Sequence, residues 1–387
     1  MAKRRANDSK KNSKKSRPDP PKDVRPPPAP VLSDIPFNLP RTTAEQVFGS
    51  LSPADIIRFA LSSTTSFNFS HNFLRVPATR IQFFHSPGQH CTLSEIIIET
   101  PNHLKCQITI AAYPSGPSSS SKKVWGRSAT VTTERVNAAV EWIYVAFTKP
   151  HDARTVAMDL TKFVLNAFNT TNIEMKSNCH TRDNDMFWIL KRVRNFSQVV
   201  VSCNTPKSMK LEELQYVLGT LSVDTMLFSF FLPNLKYTGP INNRILEASY
   251  ASWLTGESLL NMTGEILIAS GTKLTATDLN VFFNEWQTNM DKFRNLELIH
   301  LQQHERFPID PEELNLEKWP PRGTNVKVPD PRNTWFCKRG NLLATLELCT
   351  DNAVKFCVWH EKYVAKEVVH DQLPGRIREL WRNVHFL

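Results

Sequence analysis

From residue 151 to residue 302, helical and extended patterns alternate, and this alternation constrains the fold more than any other feature of the chain. ARTVAMDLTKFVLNAF (153–168) spaces its apolar residues as a helix does, and TNIEMKS (171–177) reads as a strand. NDMFWILKRVRN and MKLEELQYVLGTL read as helices, followed by the strands FSQVVVSCN and VDTMLFSFFL. After a less clear stretch come GEILIAS as strand, TATDLNVFFNEWQTNM as helix and LELIHLQ as strand. The strands begin near residues 172, 197, 223, 264 and 296. Short strands alternating with helices imply parallel strands joined by outer helices.

A pitch of about 25 residues between the first strands is that of leucine-rich-repeat-like solenoids. The strict leucine and asparagine consensus is absent, so an ordinary α/β sheet is the alternative. Residues 80–150 differ. RIQFFHS, LSEIIIET and LKCQITIAAYP are β-rich runs separated by turn signals, which predicts an antiparallel meander. SGPSSSSKK (115–123) reads as a loop, and RVNAAVEWIYVAF (135–147) as either strand or helix. Residues 306–364 open with a proline-rich loop and close with three strands. TWFCKRGNLLATLEL and AVKFCVWH turn at KRGN and CTDN, an antiparallel sheet suited to capping the body's end. Residues 365–387 form a basic tail. The expected fold class is α/β, α+β overall: a helical module at 35–75, a β-rich segment at 80–150, a solenoid-like α/β body at 151–305 and a β cap at 306–364.

The helical module poses a question. Val47, Phe48 and Leu51 share one face of a first helix. In GSLSPADII, Ser52 is the natural N-cap, Pro53 fits the first helical position, and Asp55 completes a capping-box-like pattern. The second helix carries Ile56, Ile57, Phe59, Ala60 and Leu61, apolar in more than one direction. So short a piece cannot close a core alone. One side packs helix on helix, and the other needs a partner from outside the segment.

The net charge of +10 sits mostly in the tail: residues 1–28 hold ten Lys/Arg against three Asp. The other 359 residues carry only +3, which argues against nucleic-acid binding by the folded part. Residues 1–34 read as a disordered basic and proline-rich tail, a nuclear localisation signal or a weak nucleic-acid contact. No run is apolar and long enough to cross a membrane. MAKRRANDSKKNSKKSR lacks the apolar stretch of a secretory signal. Seven cysteines without CxxC spacing fit a reducing compartment, nuclear or cytoplasmic.

Catalytic patterns are missing. There is no G-x-S-x-G, Walker or G-x-G-x-x-G motif. His300 and His304 lack the glutamate a zincin needs and read as surface histidines. Cys179-His180 has no second ligand pair at zinc spacing. Glu212-Glu213 reads as solvated charge at a helix start. No catalytic residue, metal or cofactor is expected.

The module resembles an F-box. Leu39-Pro40, Glu45, Val47-Phe48, Leu51, Pro53-Ala54-Asp55 and Ile56 to Leu61 stand in F-box order, while SSTTSFNFSHNF departs from the usual third helix. Farther on, Asp278-Leu279-Asn280, Phe282-Phe283, Trp286 and Leu296-Glu297-Leu298 resemble the signature of the F-box-associated domain of nematode F-box proteins. The closing strands resemble that family's C-terminal end. The resemblance implies a non-catalytic substrate receptor of a cullin–RING ubiquitin ligase. A Skp-type adaptor would bind Leu39, Pro40, Val47, Phe48, Leu51, Ile56, Ile57 and Leu61, and an unknown target protein would bind the body. Leu279, Phe282, Phe283 and Trp286, at helical spacing, are expected in the core, with Asp278 at the helix's first turn. The alternative is a non-catalytic nuclear interaction protein that contacts nucleic acid or chromatin through its basic tail.

Overall fold

Local capping signals set the first helices. The computed structural model describes residues 41–87, 92–112, 122–178, 187–203, 209–303, 309, 311–314, 316–319, 331–349 and 352–359. Both tails, Leu39 and Pro40, most of the serine-rich loop and most of the proline-rich loop lie outside the described residues. Arg41–Gly49 forms α1 and Pro53–Ser62 forms α2. Ser52 Oγ accepts a hydrogen bond from Asp55 N at 3.1 Å and donates to Asp55 Oδ2 at 2.7 Å, the N-cap anticipated above. Ser63 caps Thr64–Phe73 (α3) in the same way. Phe48, Phe59 and Phe69 meet between the three helices, with ring centroids 5.3, 6.0 and 6.5 Å apart.

Val76–Pro77 (β1) leads into the meander, Arg80–Pro87 (β2), Thr92–Glu99 (β3) and Lys105–Ala112 (β4), which pair antiparallel as expected. Lys122–Val124 (β5), Arg127–Arg135 (β6) and Val140–Phe147 (β7) extend the sheet, so the segment left open between strand and helix is a strand. β7 runs parallel to β4 and antiparallel to β6. Pro150–Ala167 (α4) packs over β3, β4 and β7, and Phe168–Asn169 (β8) pairs with β1.

The alternating region follows. Its strands are Ile173–Asn178 (β9), Asn195–Cys203 (β10), Ser222–Phe230 (β11), Ile245–Ser249 (β12), Ile266–Ser270 (β13) and Leu298–Gln302 (β14), all parallel in chain order. β12 is the strand missing from the sequence reading, and it fills the longest gap. Between them lie Phe187–Leu190 (α5), Leu211–Gln215 (α6) running into a π-turn at Tyr216–Thr220, Gly256–Leu260 (α7) and Ala276–Thr288 (α8). α5 and α6 are much shorter than expected. Gly264, ahead of β13, is required: a Cβ there would lie 2.3 Å from the Asn243 carbonyl oxygen.

Glu317–Lys318 (β15), Thr334–Arg339 (β16), Leu342–Leu348 (β17) and Ala353–Trp359 (β18) pair antiparallel in sequence, and β18 closes the edge of β14. One sheet results, ordered β15-β16-β17-β18-β14-β13-β12-β11-β10-β9-β2-β3-β4-β7-β6-β5. Among the described residues seven pairings are parallel, six of them in one block from β14 to β2, and eight are antiparallel, so the sheet is mixed and the chain is a mixed α/β protein.

Register explains the core. Ile143, Ile108, Ile96, Phe83, Met175, Val199, Met226, Leu246, Leu267, Ile299, Phe356 and Leu346 are cross-strand neighbours in that order. All twelve are buried, forming an apolar row across the helix-covered face. His85, on the same face of β2, is buried there between its cross-strand neighbours Ser94 and Ser177. It is 4 % exposed, and its Nδ1 shares a 3.1 Å hydrogen bond with Ser94 Oγ. Its Nε2 meets no partner among the described residues.

Burial, and secondarily the positive charge of Arg154, lowers the His85 pKa from 6.5 to about 4. Above pH 6.5 the ring is neutral in both folded and unfolded chains. Below it the unfolded chain takes up a proton that the fold refuses, so stability falls from pH 6.5 towards about 4. Over that window the loss is about 3 kcal/mol, at roughly 1.4 per pH unit. Urea midpoints measured from neutral pH downwards should show it, and His85→Gln should flatten the upper part of the slope. An unchanged slope in the variant would rule His85 out as its source.

Candidate functional site

The residues expected to meet an adaptor lie in different environments. Phe48, Ile56, Ile57 and Leu61 are buried inside this chain, at no more than 5 % exposure. Val47 and Leu51 are half-buried. The second side of α2 faces the sheet, packing on β4 and β7. Trp125 Nε1 donates to Ala60 O at 2.9 Å, and the Trp125 ring meets Phe67 at 4.6 Å. Arg58 Nη2 donates to Glu141 Oε2 at 2.7 Å. The apolar side that lacked a partner within the segment therefore has one within the chain. Neither Ile56 nor Ile57 faces outward.

The residues of the downstream pattern sit on α8 and at the approach to and start of β14. Leu279, Phe282, Phe283 and Trp286 are core residues, as their spacing predicts. Asp278 belongs to a capping box: Thr275 N donates to its Oδ2 at 2.8 Å, and its own N–H donates to Thr275 Oγ1 at 3.2 Å. Glu213 also closes a helix start, accepting from Lys210 N at 2.9 Å. His300 departs from expectation. It is 5 % exposed, not a surface histidine, because β14 lies between β13 and β18. His304, Cys179 and His180 lie outside the described residues. Among the described residues no group of three His, Cys, Asp or Glu is placed to hold a metal ion.

The face turned away from the apolar row has another character. Its register runs Tyr144, Thr109, Glu95, Phe84, Lys176, Val200, Leu227, Glu247, Ile268, His300 and Lys355. Most are half-exposed up to Glu247, and charge of both signs is interspersed with apolar residues. Arg80 clamps Glu174 with two 2.7 Å hydrogen bonds, and Gln82 Nε2 adds a third at 3.1 Å. That network raises the Arg80 pKa, the Glu174 hydrogen bond first among its causes. Trp142, at the β7 end of this face, is 44 % exposed. Near the C-terminal ends of β12–β14 the face dips into a cavity of about 240 Å³. Sequence reasoning missed this surface because alternation along one strand does not say which strands adjoin.

Comparison with known protein families, with curated proteins and with solved structures finds no match to this chain.

Proposed function

We propose that the chain is a non-catalytic substrate receptor of a Skp–cullin–F-box ubiquitin ligase, with its N-terminal helices meeting a Skp-type adaptor and the mixed polar and apolar face of its sheet meeting the target protein. The observation that carries this reading is the pairing of a capped three-helix module in F-box order with a broad sheet, one face of which is packed by no helix among the described residues. The run β9–β14 is read as leucine-rich-repeat-like. Asn242 Nδ2 donates to Gly219 O at 2.6 Å and Asn243 Nδ2 to Val217 O at 3.2 Å, so asparagines ahead of β12 tie one chain turn to the preceding one. β16–β18 then act as its cap. Such a receptor accelerates transfer by raising the effective concentration of target near a charged conjugating enzyme.

Because Phe48, Ile56, Ile57 and Leu61 already serve the chain's own core, the adaptor surface narrows to Val47 and Leu51, with Leu39 and Pro40 ahead of them. In calorimetric titration with a purified Skp-type adaptor, wild type should bind. Val47→Asp/Leu51→Asp should weaken binding at least a hundredfold, about 3 kcal/mol, with an unchanged thermal melt. A folded wild-type chain that does not bind the adaptor would sink the reading.

The concentration of positive charge in residues 1–28 favours a second reading, a nuclear interaction protein that contacts nucleic acid. Deleting residues 1–28 would then abolish salt-sensitive DNA binding. On the receptor reading the same deletion leaves adaptor binding intact.

A further inference from the structure

The cavity near the C-terminal ends of β12–β14 is built around one carboxylate. Glu247 points from β12 into a space that Ser249, Tyr250, Ser270, His300 and Gln302 also line. Among the described residues its carboxylate has neither a hydrogen bond nor an ion pair. Burial alone holds its pKa above the ordinary carboxylate range. A half-buried carboxylate without a cation is an unmet electrostatic demand.

The rim answers to the same chemistry. Tyr250 is 56 % exposed and stands edge-on to Phe231, itself 44 % exposed, at a centroid distance of 6.1 Å. The backbone of Tyr250 is left-handed at φ 58°, an unfavourable conformation for a ring-bearing residue. An exposed aromatic ring beside a carboxylate is how proteins bind organic cations. The two hydroxyls and the Gln302 amide add acceptors. At about 240 Å³ the space falls below the roughly 300–1,000 Å³ of small-molecule sites, which suits a single side chain better than a cofactor. His300 lies two strands from Glu247 in the same row, roughly 10 Å by strand spacing.

We propose that this cavity takes the cationic side chain, lysine or arginine, of a protein segment laid across the sheet face that bears Glu247. The identity of that segment as a ligase target rests on the receptor reading. The cation site itself does not, and its test involves no adaptor, so the two ideas fail separately.

The test is an NMR titration of the full chain with four blocked amino acids, the N-acetyl N-methylamides of arginine, lysine, norleucine and glutamate. The arginine and lysine probes should shift the backbone amides of Glu247, Tyr250 and Ser270, and the other two should not. Glu247→Gln should weaken the cationic probes at least tenfold while melting no lower than wild type, since it removes a half-buried charge that has no partner among the described residues. Tyr250→Asn, which suits the left-handed backbone, should weaken them severalfold. Shifts that are absent, equal for norleucine or glutamate, or unchanged in folded Glu247→Gln would overturn the proposal.

Discussion

Ile57→Asp is expected to unfold the N-terminal helices, not to leave a folded protein short of one partner. Ile57 has no exposed surface, and the second side of its helix lies on β4 and β7. An aspartate there gives up isoleucine packing, roughly 2–5 kcal/mol for a large-to-small core change. It also buries an unpaired carboxylate, worth roughly another 3–5 kcal/mol. The combined loss of about 5 kcal/mol or more exceeds what three short helices can absorb. The penalty should grow as pH rises above the ordinary aspartate pKa, because the folded site resists ionisation. The indole N–H resonance of Trp125 is a local reporter, since that group donates to Ala60 O at 2.9 Å. It should move to a solvent-exposed position in Ile57→Asp and stay in place in Val47→Asp. A native Trp125 resonance and an unchanged melt in Ile57→Asp would mean that α2 is not held on the sheet as described.

The contrast between Ile57 and Val47 marks what was legible in the sequence. Ser52, Pro53 and Asp55 act through neighbours three residues away, so the cap of α2 could be read directly. The partners of α2 are Trp125 and Glu141, 65 and 83 residues on from the groups they contact. No local pattern separates an apolar face covered by distant strands from one awaiting another protein. Similarly, the parallel strands β9, β10, β11, β13 and β14 were legible because helical patterns flank apolar runs. β12 was not, because ILEAS is five residues long and follows a loop carrying the buried Tyr237 and Ile241, which form bridges of their own. Helix lengths were overread where apolar residues serve a turn: Val217 and Leu218 are buried from the π-turn that ends α6. The polar row with its Glu247 cavity was the least accessible feature, since its members, from Phe84 to Lys355, come from strands far apart in the chain and meet only through register.

Arg339 should prove the costliest polar side chain to remove. It is 3 % exposed at the end of β16, where its Nη1 donates to the carbonyls of Trp286 at 3.1 Å, Asn289 at 3.4 Å and Lys292 at 3.0 Å. Its guanidinium also lies 4.5 Å from the centre of the Trp286 ring. The first two acceptors lie at the C-terminal end of α8, where carbonyls have no partner within the helix and the dipole favours a cation. Arg339 therefore ties β16 to α8, beside the ring contacts that tie β18 to the same helix. Arg339→Met keeps most of the apolar stem but leaves the buried Trp286 carbonyl and the part-buried carbonyls of Asn289 and Lys292 without this donor, at roughly 1–3 kcal/mol for the buried one and less for the others. The expected loss is about 4 kcal/mol, read as a lower urea midpoint with early hydrogen exchange along α8 and β16. Arg339→Lys should recover part of it, because an ammonium keeps the charge but not the planar fork. If Arg339→Met and wild type unfold at the same urea concentration, the guanidinium is not what joins β16 to the helix, and the edge-on and tilted contacts of Phe356 with Phe282, Phe283 and Trp286 must hold that junction alone.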